Sequence, residues 1–196
     1  MNRTKRAFST KTMVLGAILT SIVIILQLLA TFTTFFGPFS TALALIPIIV
    51  GASVCGSKIS TWLGLVFGMV VLMSGNATLF LQYDIAGTII TVLAKGAACG
   101  LAAGLVHSVL KKYSQTAASI AAALICPIVN TGVFLLGGFL FFMDDASEIA
   151  ITVGLGNISG FAVFWALAMA NFLFELGMNL VLCPVITRIL RLRKSN

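Results

Sequence analysis

Between Lys11 and Lys58 the chain carries no charged residue at all, an uncharged stretch of 46 residues from Thr12 to Ser57. A bilayer core about 30 Å thick is crossed by about 20 residues of helix, each rising about 1.5 Å. Such a stretch therefore holds two crossings. Gly37-Pro38 divides it, because proline has no N–H for a helix and glycine favours a turn. In hydrocarbon the backbone must satisfy its own hydrogen bonds, which leaves helix as the form for each run. The same reading along the chain predicts six helices, at about 12–35, 40–55, 58–74, 85–110, 116–143 and 157–190. The second is short and interrupted by Pro47, and the third ends at the turn Ser74-Gly75-Asn76. The fold class is an all-α integral membrane bundle forming one domain, 1–196, with no soluble module and no linker.

Charge placement orients that bundle. Arg3, Lys5, Arg6 and Lys11 precede the first run, Lys58 follows the second, Lys111 and Lys112 follow the fourth, and Arg188, Arg191, Arg193 and Lys194 follow the sixth. Asp84, Asp144, Asp145 and Glu148 lie in the connections that face the other way. Lysine and arginine in short loops are retained on the cytoplasmic side, so both termini are expected in the cytoplasm. Only Lys95 and Glu175 then fall at membrane depth.

Composition excludes other classes. With 60% hydrophobic and 9% charged residues, a soluble domain is not expected. The net charge of +7 sits in short flanks, where it serves topology and anionic lipid headgroups rather than nucleic acid. Met13–Leu29 is long for a signal-peptide core and no A-x-A-like site follows, so it reads as a retained first helix. Cys55, Cys99, Cys126 and Cys183 are scattered without a CxxC pair, which points to packing residues rather than a disulfide or metal site.

Catalytic patterns are missing. Gly51-Ala-Ser-Val-Cys-Gly56-Ser57-Lys58 resembles a phosphate loop, but lysine and hydroxyl are swapped and no strand precedes it. A tight inner turn is the simpler reading. His107 stands alone near the end of the fourth helix, and no HExxH or paired intramembrane aspartates occur. The chain is expected to be no enzyme and to hold no cofactor.

Small residues are ordered instead. Gly64/Gly68 and Gly96/Gly100/Gly104 recur every four residues and permit close helix approach. On the first helix the pairs Gly16/Thr20 and Ala17/Ser21 do the same near the cytoplasmic end, facing either the core or a partner. Lys95 precedes Lys111 by 16 residues and Glu175 precedes Arg188 by 13, about 24 Å and 20 Å of helix. They either form an ion pair, or Lys95 faces an outward-open pocket while Glu175 joins Asn171 and Asn179 in a structural stripe. Further polar residues gather in the outer half: Asn76, Gln82, Tyr83 and Asp84, then Asn130 and Thr131, then Asn157 and Trp165. Each reads singly as a cap or an anchor. Together with Lys95 they are what a solute pocket needs, apolar walls with a few placed polar groups.

The order of several segments resembles the substrate-binding S components of energy-coupling factor (ECF) vitamin transporters. These are Leu15-Gly-Ala-Ile-Leu-Thr-Ser21, Ile46-Pro-Ile-Ile-Val-Gly51, Trp62-Leu-Gly-Leu-Val-Phe-Gly68, Ile85-Ala-Gly-Thr88, Lys95-Gly96 and Cys126-Pro-Ile-Val-Asn130-Thr-Gly132. The resemblance spans nearly the whole chain. It implies six helices, capture of a water-soluble vitamin from outside, and delivery through a coupling transmembrane protein driven by two partner ATPases. Riboflavin, pantothenate, pyridoxine-type and folate-like ligands stay open. It also implies an AxxxA surface for the coupling protein, with Ala17 at the first alanine and Ser21 in place of the second. ATP would belong to the partners. The alternative is a small intramembrane enzyme or a lipid-interacting structural protein.

Overall fold

The computed structural model describes the backbone of residues 10–33, 42–156 and 158–194, with most side chains as far as Val181. The described residues form eight helices: α1 (Thr10–Thr33), α2 (Ala42–Val54), α3 (Ser57–Met73), α4 (Thr78–Leu81), α5 (Ile85–Leu110), α6 (Gln115–Phe141), α7 (Ala146–Thr152) and α8 (Phe161–Lys194). No strand occurs among them.

Four helices are long and apolar enough to cross a membrane: α1, α5, α6 and the Phe161–Asn179 part of α8. Helices α2 and α3, with 13 and 17 residues, reach only about 20 Å and 26 Å at 1.5 Å per residue. Exposed apolar side chains run along the outside of the long helices, including Met13, Ile18 and Ile25 on α1 and Leu136 and Leu140 on α6. Water would disfavour so broad an apolar surface, and lipid would not.

The short α2 sits in the middle. Ala44, Leu45, Ile48, Ile49 and Ala52 are at most 1% exposed, and the helix touches α1, α3, α5, α6 and α8. It continues through Pro47. At its end the Gly51 carbonyl accepts from the N–H of Cys55 at 2.8 Å and of Gly56 at 3.1 Å. Gly56 then takes φ 88°, a left-handed conformation suited to glycine, and α3 starts directly after it. The phosphate-loop lookalike is thus a helix end, a two-residue turn of Cys55 and Gly56, and a helix start.

Helices α3 and α5 make the closest pairing, and their glycines explain why. A Cβ added to Gly96 would strike the Gly64 carbonyl, one on Gly100 the Ser60 carbonyl, and one on Gly104 the Ser57 backbone. Ser60 uses this proximity, donating to the carbonyls of Gly100 at 2.7 Å and Ile48 at 3.2 Å. The residue numbers run in opposite senses, so the two helices are antiparallel. Lys58 therefore lies at the same end as Lys111 and Lys112. The opposite end carries the acidic connections, which Tyr83 ties together by bonding its hydroxyl to Thr152 Oγ1 at 3.4 Å.

Two differences from the sequence expectation stand out. The connections 75–84 and 144–156 were expected as loops, yet each contains a short helix, α4 and α7. The last helix starts at Phe161 rather than near 157, because Gly154, Gly156 and Gly160 all take positive φ (76°, 70° and 62°) and hold off the helix. The Gly37-Pro38 break lies outside the described residues.

Candidate functional site

At the acidic end, α3, α4, α5 and α6 surround a cavity of about 60 Å³ counted at the positions water centres can take. A single water needs about 10–15 Å³ on that measure, so several fit. Helix α5 supplies the polar wall with Thr88, Thr91 and Lys95, which share one face at i, i+3 and i+7. Asn76 and Ala77, between α3 and α4, supply another part. Phe80, Phe134 and Phe142 form the aromatic wall. Phe80 meets the other two edge-on, with ring centroids 5.6 Å and 5.3 Å away, within the favourable range for such pairs.

Each polar group has a distinct setting. Thr88 Oγ1 donates to the Asp84 carbonyl at 2.6 Å. Asn76 Nδ2 donates to Thr31 Oγ1 at 3.3 Å and Ser74 Oγ at 3.2 Å. Thr91 is 6% exposed, and its hydroxyl has no hydrogen-bond partner among the described residues. Gly137 makes room for it, since a Cβ there would collide with the threonine side chain. The Lys95 ammonium lies 5.7 Å from the Phe134 ring centroid, close enough for a cation–π attraction.

Glu175 sits in a second, adjoining cluster. Its carboxylate is 0% exposed. It accepts from Asn171 Nδ2 at 2.7 Å and from Asn130 Nδ2 at 3.3 Å and 3.4 Å. It attracts Lys95 electrostatically but does not line the cavity. One turn further along α8, Asn179 Nδ2 donates to the Ala123 carbonyl at 3.4 Å. That carbonyl is four residues before Pro127, whose missing N–H leaves it without its helical donor. Nearby, the buried Cys99 donates to the Gly96 carbonyl at 3.1 Å.

The residues expected from sequence are thus divided. Lys95 and Asn76 line the cavity. Asn130 turns to Glu175 instead, and Thr131 beside it is buried in α6. Asp84 caps α5, its Oδ1 accepting from the Gly87 N–H at 3.0 Å. Gln82 ends α4, and Tyr83 bonds to Thr152. Trp165 is 50% exposed on the outer side of α8, and Asn157 lies outside the described residues. Sequence reading missed Thr91 and the three phenylalanines. The spacing of Thr88, Thr91 and Lys95 was the signal available for the first; nothing local marks the aromatics.

On α1, Ala17 and Ser21 are exposed, and Thr20 is half-buried. Gly16 faces inward, where an added Cβ would touch Ile59. No family model, no curated protein and no solved structure matches the chain.

Proposed function

We propose that this chain is the substrate-capturing subunit of an energy-coupled micronutrient importer, similar to ECF S components. In this reading six helices cross the cytoplasmic membrane of a prokaryote, with α2 and α3 completing the four long ones and both termini inside. The carrying observation is the placement of Lys95. A lysine held at membrane depth beside an apolar cavity, at the end rich in acidic residues, suits a solute arriving from outside. The exposed Ala17/Ser21 strip offers a coupling protein close backbone approach. ATP is used by partner subunits.

Purification of the chain without partners tests this. Mass spectrometry of the denatured supernatant should reveal a co-purifying water-soluble vitamin or related micronutrient. Repeatedly empty preparations that turn over lipid would replace the proposal with an intramembrane enzyme.

A further inference from the structure

We propose that the Lys95 cavity takes a compact monocarboxylate, with the carboxylate on the Lys95 ammonium and an apolar body of about one ring against Phe80, Phe134 and Phe142. This rests on the substrate-capture reading and adds the ligand's charge and size.

Charge follows from the donors. Lys95 lines the cavity wall on α5, whereas the Thr91 hydroxyl is enclosed against Gly137 in the α5–α6 contact. An ammonium only donates. A cationic donor at the wall suits an anionic acceptor and repels an ammonium ligand. The competing anion, Glu175, lies outside the cavity and is already held by Asn130 and Asn171. A ligand carboxylate in direct contact with Lys95 therefore interacts more strongly than Glu175 does.

Size follows from the space. The cavity offers about 60 Å³ of space to water centres, and its walls are set by three phenylalanines on α4, on α6 and at the end of α6. One ring with a carboxylate matches that enclosure better than a three-ring flavin. Phe80 already packs edge-on against Phe134 and Phe142, and a planar ring would extend the same arrangement.

The test is thermal unfolding of the purified full-length protein in detergent, titrated with benzoate, its neutral isostere benzamide, and riboflavin. Benzoate should stabilise with saturation, and benzamide should bind at least about tenfold more weakly. Lys95→Met should lower benzoate affinity about ten- to hundredfold and abolish the preference for charge. Glu175→Gln should tighten benzoate binding by removing an opposing charge. If Lys95→Met fails to fold, the benzoate–benzamide difference and Glu175→Gln still decide. Equal stabilisation by benzoate and benzamide, or weaker benzoate binding in Glu175→Gln, overturns the assignment. Stabilisation by riboflavin but not benzoate overturns it while leaving the substrate-capture reading intact. If neither these probes nor any co-purifying small molecule binds, both fall.

Discussion

Lys95 on α5 and Glu175 on α8, charges of opposite sign in adjoining clusters, attract each other yet are held by different neighbours. The ammonium lies 5.7 Å from the Phe134 centroid at the cavity wall. The carboxylate takes a 2.7 Å hydrogen bond from Asn171 on its own helix and longer ones from Asn130 on α6. One charge faces a void and the other faces amides.

This division predicts different outcomes for the two sides. Asn171→Leu removes the shortest described donor to a buried carboxylate and should cost about 1–3 kcal/mol of stability. Glu175→Gln in the same chain should recover part of that loss. Lys95→Met should move the melting temperature much less. If Lys95→Met proves the more damaging change and Glu175→Gln rescues it, the two charges act mainly as an ion pair.

The α3–α5 glycines should resist any side chain. Gly96→Val and Gly100→Val each drive a side chain into a backbone carbonyl of α3, which cannot step aside. Overpacking of this kind costs about 1–3 kcal/mol. Gly132→Ala is the control, because nothing lies within 4 Å of its added Cβ. It should be neutral or stabilise by up to about 1 kcal/mol through helix propensity. Equal melting shifts at the two kinds of site would contradict the close approach.

Asp84 separates capping from ligand contact. Its Oδ1 accepts from the Gly87 N–H at 3.0 Å at the start of α5. Asp84→Ala should therefore cost about 0.5–2 kcal/mol, while Asp84→Asn, another good cap, should cost little. Ligand affinity should follow stability in both variants. An Asp84→Asn chain that melts normally but loses ligand would make the carboxylate part of the site.

Ala17 and Ser21 test the coupling surface. Ser21 Oγ donates to the Ala17 carbonyl at 3.2 Å, so its hydroxyl is used within α1 and its small size is what a partner would meet. Leucine at either position should hold a partner helix away. Uptake should fall by about tenfold or more, corresponding to about 1.4 kcal/mol, while binding by the isolated chain stays unchanged. Parallel loss of binding would place both residues in the internal packing. Gly16→Leu serves as contrast, because its Cβ points at Ile59 and should lower stability as well.

Run length and charge placement alone determine that the chain is helical and that several helices are long and apolar enough to span lipid. Each of those properties follows from hydrogen-bond satisfaction in a medium without water and from the position of individual charges, so no tertiary information is needed. The glycine rows on α3 and α5 were legible for the same reason, since a four-residue period places them on one face before any partner is known. The short helices α4 and α7 were not, because helices of that length are decided by their surroundings rather than by local propensity. Nor was the composition of the cavity. Phe80 on α4 lies far in sequence from Phe134 and Phe142 on α6 and at its end, and only the packing of α4 against α5 and α6 brings them around Lys95. Asn130 carried the same local signal as Asn76, yet one turned to Glu175 and the other to the cavity wall. A side chain's choice between two buried partners depends on where neighbouring helices sit in rotation and depth, and that is decided only when the whole bundle closes.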